Sequence, residues 1–531
     1  MQRGLRRMNG IPASVAIALF LSPTFSPAQV LSVTTRLVEV RVVVQNKQGE
    51  PVANLDKEDF NLLDEGRPQQ IAFFRIETSR AGPFKTPRLP PGVFSNRVEA
   101  ASTGATAILF DALNTQFTDQ AYARQQILRF LQGLNGEQRL ALYVMGRGPR
   151  ILQDFTSDSS ALVKAIASYK GTATPSLEAP LYDPAVTGVN HFNSWLGELP
   201  FGLYDYYGDD RAFRTIRALI AVANHLEPLP GRKNLIWVSG SFPISLSWSS
   251  VSAPRKVPLG NREAGPELER AVLALNRANL AIYPVDARGL MAAQDYAGSV
   301  TRPELRNPDT SEFANMQMLA DRTGGRPFYN NNDLTMALRR ALDDSRLVYV
   351  LGYYPAHKDW KGRFHKITVE VKRPDIDLNY RHGYFAQPEE PADSWYRERV
   401  LGSALWSPID AGALELTVAG RPAASGGMDL ALQLGPHDIA LQHKQDKWEC
   451  HLDIWLVQFD SKEHQLKTDA RTNNLALDQP TYERVMQANG LMVLEHVDPA
   501  PDATLLRILV RDVASGALGS LTLPLRRLTQ Q

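Results

Sequence analysis

Residues Ala105–Asp111 read ATAILFD, a short and nearly continuous apolar run that stops at a carboxylate. Such a run marks a strand covered on both faces, the situation of a strand inside a parallel sheet. Downstream the pattern alternates. A helix is predicted over 119–134, strands over 139–145 and 151–155, and a helix from the caps Ser157-Asp158 to Tyr169. After a stretch rich in aromatic residues, Gly and Pro (171–210), read as a long surface insertion, the series resumes. It continues with helix 211–226, strand 234–239, helix 266–278, strand 280–285 and helices 311–322 and 332–345. Strands alternating with helices of this length predict a mostly parallel sheet wrapped on both faces, a doubly wound α/β domain over 104–345.

Upstream, VTTRLVEVRVVV (33–44) places Val38, Val40, Val42 and Val44 two apart on one face, the spacing of a half-buried strand. It opens a small β unit over 31–78 that is too short to bury much core alone. A further β segment over 346–386 is the candidate to complete it, which would make the α/β domain an insertion into a β-sandwich. Residues 79–103, with four prolines, are read as a linker, and 387–410 as a second linker with a short helix. From 411 to 531, runs such as WECHLDIWLVQF and TLLRILVRD, separated by turn residues, predict an all-β domain.

The chain has 531 residues, 44% hydrophobic and 22% charged, which excludes a disordered, collagen-like or coiled-coil polymer. Its 58 Lys+Arg and 57 Asp+Glu leave a formal charge of +1, so no global basic field points to nucleic acid. One cysteine, Cys450, permits no intrachain disulfide. Arg3, Arg6 and Arg7 precede the apolar stretch Ile11–Leu21, and Ser26-Pro27-Ala28 offers a cleavage site, so 1–28 read as a secretory signal peptide. No later stretch is long and apolar enough to span a bilayer, and the expected location is periplasmic or extracellular.

The segments LVEVRVVVQNKQGEPVANLDKEDF (37–60), FDALNT (110–115), GRKNLIWVSGSFP (231–243), LADRTGGRPFYNNNDL (319–334), YVLGYYP (349–355) and YRHGYFA (380–386) occur in this order. In that order the chain resembles the exported VWFA-related proteins of the acidobacterial type, and its α/β core resembles a von Willebrand factor A domain. The resemblance implies a doubly wound, mostly parallel sheet flanked by β-sandwich modules. It also implies a metal-ion-dependent adhesion site for one divalent metal, Mg²⁺ or Mn²⁺. In that family the first strand ends in Asp-x-Ser-x-Ser, and a later strand supplies a further carboxylate.

Carried over residue by residue, Asp111 and Thr115 stand at the first carboxylate and the second hydroxyl. Leu113 replaces the first Ser, and Ser239 stands where an Asp is expected. Two readings follow: a degenerate metal site of Asp111, Thr115 and Ser239, or Asp111 and Asn114 capping the following turn. Asp209, Asp210 and Thr215 are candidate replacement ligands. Asn114 and the aromatic residues Trp195, Phe201, Tyr204, Tyr206 and Tyr207 are the candidate partner-binding residues, because rigid aromatics make effective hot spots. Asp286 is read as capping a turn rather than as a ligand, and Gly324-Gly325 as a helix C-cap rather than a phosphate cradle. His437, His443, Cys450 and His451 do not read as a shared metal site, since alternation turns Cys450 and His451 to opposite faces.

No complete catalytic signature is present, neither G-x-S-x-G, H-E-x-x-H nor a P-loop. Together with the resemblance and the sandwich modules it implies, this gives the expectation of an exported, non-enzymatic protein that binds another protein or acts as a scaffold. The alternatives are an exported hydrolase whose site assembles only in three dimensions, and a structural envelope component.

Overall fold

Two faces of apolar side chains on ATAILFD require two layers of helix. In the computed structural model β6 (Ala105–Asp111) is buried along its whole length. The structure describes residues 36–78, 89–97, 104–134, 139–146, 148–171, 198–242, 264–288, 312–329, 333–357, 360–386, 394–444, 446–487 and 490–528, without the side chains of 198–210, 264–266, 312 and 394–399. From Leu37 to Gln531 the chain forms one compact unit. The signal-peptide reading of 1–28 falls outside the described residues, and no described helix is long and apolar enough to cross a membrane.

The strands before β6 are β1 (Val38–Asn46), β2 (Phe60–Asp64), β3 (Arg67–Gln69), β4 (Ile71–Thr78) and β5 (Val93–Ser95). After β6 come α1 (Phe117–Gln132), β7 (Leu140–Met145), β8 (Pro149–Thr156), α2 (Ser159–Ser168), α3 (Glu198–Leu226), β9 (Lys233–Ser239), α4 (Ala264–Arg277), β10 (Leu280–Asp286), α5 (Glu312–Thr323) and α6 (Leu334–Asp343). The sheet order is β10-β9-β6-β7-β8, parallel except for the antiparallel edge strand β8. Side chains alternate across it. Ala107, Leu109, Tyr143, Leu235 and Trp237 face α3, α4 and α5, whereas Ile108, Phe110, Leu142, Ile236 and Val238 face α1, α2 and α6.

The helix read as 211–226 begins at Glu198, so Phe201, Tyr204, Tyr206 and Tyr207 lie on a helix rather than in a surface loop. Pro200 is tolerated because it falls in the first turn, where its missing N–H has no intrahelical partner, but with Gly202 and Gly208 it masks the helical signal. The side chains of these aromatics, and Trp195 altogether, lie outside the described residues.

The chain then forms β11 (Leu347–Tyr353), β12 (Phe364–Val371), β13 (Ile376–Asn379) and β14 (Gly383–Phe385). The sheet β13-β1-β11-β4 faces the sheet β14-β12-β2-β3 around Val40, Val42, Leu62, Tyr349, Leu351 and Ile367. The N-terminal strands thus pair with strands that follow the α/β segment, Val40 opposite Leu351 and Leu62 on β2 opposite Val369. Within the β segment 346–386, β13 and β14 lie in different sheets, with Tyr380-Arg381-His382 crossing between them.

A buried polar network fixes the α/β segment on this sandwich. Asp344 accepts from Gln45 Nε2 (2.7 Å), Tyr283 Oη (2.8 Å) and Asn379 Nδ2 (3.1 Å). Tyr283 Oη in turn accepts from Arg232 at 2.9 Å.

Past α7 (Ser394–Leu405), strands β15 (Leu416–Pro422), β16 (Met428–Leu434), β17 (Gln442–Lys444), β18 (Lys447–Phe459) and β19 (Gln465–Leu477) lead to α8 (Gln479–Gln487). Strands β20 (Leu491–Val497), β21 (Leu505–Asp512) and β22 (Leu518–Pro524) and the short α9 (Leu525–Leu528) end the described chain. Two antiparallel sheets enclose a third core containing Cys450, Leu452 and Ile454, while His451 turns outward to Asn474. Two expectations are corrected here. The C-terminal region is not all-β, because Asp478 caps α8 by accepting from Thr481 N. The stretch 79–103 is not only linker: Val93–Ser95 pairs with Ala419–Thr417 of β15, a strand too short to read from sequence and held by Phe94 on this core.

Candidate functional site

In an open α/β sheet the crevice lies where the strand order reverses, outside the carboxyl ends of the strands. Here the chain leaves β6 toward β7 and returns to β6's other side as β9, so the crevice lies between Asp111, which ends β6, and Ser239, which ends β9. Both residues, with Asn114 and Thr115, are buried.

The structure brings the three sequence-predicted ligands together and gives each a partner from its own chain. Asp111 Oδ1 accepts from the Asn114 backbone N–H at 2.9 Å. Asp111 Oδ2 lies 2.8 Å from Asn114 Nδ2, 3.0 Å from Trp237 Nε1 and 2.9 Å from Ser239 Oγ. Thr115 Oγ1 accepts from the Gly240 N–H at 2.9 Å. Gly240 sits so close to the loop that an added Cβ would fall 3.2 Å from Thr115 Cα. Gln120 Nε2 closes the loop from below on the carbonyls of Ala112 and Thr115. Burial pushes the Asp111 carboxyl up to about 6, against the hydrogen bonds from Asn114, Ser239 and Trp237, which draw it down.

This donor set does not fit a hard divalent cation. Mg²⁺ requires near-octahedral oxygen ligands, including water. Leu113 offers no oxygen, and an indole N–H occupies the carboxylate and cannot become a ligand. Of the candidate replacements, Thr215 Oγ1 does approach, 2.8 Å from Asn114 Nδ2, but its own proton is donated to the Arg211 carbonyl. The side chains of Asp209 and Asp210 lie outside the described residues. One polar atom in this loop has no hydrogen-bond partner, the buried Asn114 Oδ1.

Asp286, ending β10, accepts a two-pronged contact from Arg288 (2.9 Å to each oxygen) and caps the turn by accepting from the Arg288 N–H. Gly324 and Gly325 end α5, both donating to the Ala320 carbonyl, with Gly324 at φ +81°. Sequence reasoning did not single out Trp237, whose place in a buried strand signals packing and not its N–H. Nor did it single out Phe117, half exposed where α1 begins beside the loop.

No protein-family model matches the chain, and no curated protein matches it. Among solved structures it is similar to a von Willebrand factor type A protein from Catenulispora acidiphila, with 12% identity over 69% of this chain and 72% of that one and a TM-score of 0.26. It is also similar to the conserved hypothetical protein BatB from Bacteroides thetaiotaomicron, with 13% identity over 46% and 98% and a TM-score of 0.25. A third is the pilus adhesin SpaC from Lactobacillus rhamnosus GG, with 8% identity over 85% and 60% and a TM-score of 0.28. Likeness this low leaves the chain's chemistry to its own residues.

Proposed function

We propose that this chain is an exported, non-enzymatic protein that binds or scaffolds another protein. On this reading it carries a von Willebrand factor A-like core whose metal-ion-dependent adhesion site is degenerate. The observation that carries the reading is the Asp111 carboxylate at the switch point of the sheet, held by the backbone and side chain of Asn114, by Trp237 and by Ser239. The chain's own donors take the place of a cation. Contact with a partner then falls to side chains at the rim, among them Phe117, an exposed aromatic where α1 begins beside the loop. Export is supported by the charged and apolar pattern of residues 1–28.

Two measurements test this. Calorimetric titration of Mg²⁺, Mn²⁺ and Ca²⁺ into the metal-stripped protein is expected to give no saturable binding. Binding that Asp111→Ala abolishes would overturn the degenerate-site reading. A photoreactive residue at position 117, in the organism that makes the protein, is expected to yield a discrete protein adduct, and one at position 466 on the C-terminal domain none. Equal labelling from both positions, or none from 117, would sink the partner-binding reading.

A further inference from the structure

Asp64 ends β2 just before a tight turn at Glu65-Gly66, and His365 stands on the neighbouring strand β12. His357 follows β11 in the loop that returns to β12. Their ligand atoms all lie within 4.8 Å of one another, inside one end of the N-terminal sandwich. Asp64 and His365 are buried and His357 is half-buried, which leaves one side toward solvent.

The unsatisfied atoms are what sets this cluster apart. Asp64 Oδ1 has no hydrogen-bond partner, and neither does either ring nitrogen of His365. Asp64 Oδ1 and His365 Nδ1 face each other at 3.5 Å. Leaving such groups buried and unpaired forfeits the hydrogen bonds they would make to water. A single shared proton would join Asp64 to His365 and leave the other imidazole nitrogen orphaned.

The remaining contacts orient Asp64 and His357. Tyr353 Oη and Tyr384 Oη donate to Asp64 Oδ2 at 2.9 and 3.0 Å, which leaves Oδ1 facing His365. Because the Tyr384 proton goes to Asp64, the 2.6 Å contact between His357 Nε2 and Tyr384 Oη is a donation from the imidazole. That fixes the His357 tautomer with its lone pair on Nδ1. An outer carboxylate or hydroxyl that holds the far nitrogen of a histidine is the usual support of a metal-ligating imidazole.

We propose that Asp64, His357 and His365 bind one divalent transition metal of the Zn²⁺ class. Two neutral imidazoles and one carboxylate match the nitrogen and oxygen preference of Zn²⁺, and three protein ligands leave a tetrahedral ion one position for water or an incoming group. Ligand atoms around such an ion stand about 3.3 Å apart, given bond lengths near 2.0–2.1 Å. The Asp64–His365 pair is already close to this. The His357 and His365 rings, stacked at 3.9 Å with a 23° interplanar angle, must tilt toward a common point. The ion would tie β2, β12 and the loop after β11 at one end of the sandwich. It is independent of the crevice at Asp111.

The test uses the full chain stripped with chelator. Competition titration is expected to show one Zn²⁺ bound per chain, with a rise in Tm, and Co²⁺ is expected to give the visible absorption bands of a four-coordinate ion. Asp64→Asn and His365→Gln should each weaken zinc by at least about 100-fold and abolish the Tm shift. Tyr384→Phe, which removes only the orienting hydroxyl, should cost about 10–100-fold. His496→Ala, at an exposed histidine between Asp429 and Asp498 of the C-terminal domain, should leave affinity unchanged. Should a buried variant fail to fold by circular dichroism, His357→Gln at the half-buried ligand carries the test. Absence of saturable zinc binding in the intact chain, or unchanged affinity in the folded ligand variants, overturns the proposal.

Discussion

Trp237 Nε1 donates to Asp111 Oδ2 across 3.0 Å, joining β9 to β6 through side chains that are both fully buried. The contact makes a bulky core residue part of the polar crevice. Trp237→Phe keeps an aromatic ring against Phe242 but removes the donor to a buried carboxylate. The expected cost is about 2–4 kcal/mol, from a lost hydrogen bond to a charged group and a smaller ring. Urea denaturation checks it, and a loss below 1 kcal/mol would show that the contact contributes little.

Stability should fall with pH through the Asp111 titration. Its folded value of about 6 lies above the unfolded 3.8, so the folded chain holds this proton more tightly. The contribution is complete below the unfolded value and is lost as pH rises through about 6. A difference of roughly two units corresponds to about 3 kcal/mol. Between pH 4 and 6.5 the wild type is therefore expected to lose stability relative to Asp111→Asn. Parallel pH curves for the two proteins would refute this.

Asp344 holds groups from the sandwich and from the α/β segment on one carboxylate, Gln45 and Asn379 on one side and Tyr283 on the other. Asp344→Ala strands these buried donors, with an expected loss of about 3–5 kcal/mol. Because the carboxylate joins two cores, denaturation followed by Trp fluorescence and by limited proteolysis should split into separate transitions. A single transition with an unchanged midpoint would contradict this.

The Cys450 thiol is buried in the C-terminal core, and burial pushes it up to about 11, with Asp512 adding to the rise. Thiolate is the reactive form, so the native protein is expected to resist aromatic disulfide reagents at pH 8 and to react fully in denaturant. Fast labelling of the native state would mean that this sandwich opens locally.

The local patterns were legible in the sequence because they depend on neighbours in the chain. ATAILFD announced a strand with two covered faces, the valines at 38, 40, 42 and 44 announced one buried face, and the alternation of strands and helices announced a mostly parallel sheet between helices. Asp111, Thr115 and Ser239 were legible as positions. What occupies the carboxylate was not, since Trp237 reads as core and its N–H finds Asp111 only once β9 lies beside β6. The start of α3 at Glu198 was hidden by Pro200, Gly202 and Gly208, whose intrinsic preferences packing overrides.

The pairing of β1 with β11, the capture of Val93–Ser95 by β15 and the meeting of Asp64 with His357 and His365 join residues from distant parts of the chain. Their registers are set by which faces the whole fold buries, a choice that short-range periodicity does not encode. The sequence alone therefore determined most elements of the α/β segment, through periodicity and local capping, and the resemblance carried by its motifs marked the crevice position. Only the tertiary structure decided which lone pairs meet a donor and which are left facing one another, because hydrogen bonding inside a core depends on where distant strands come to rest.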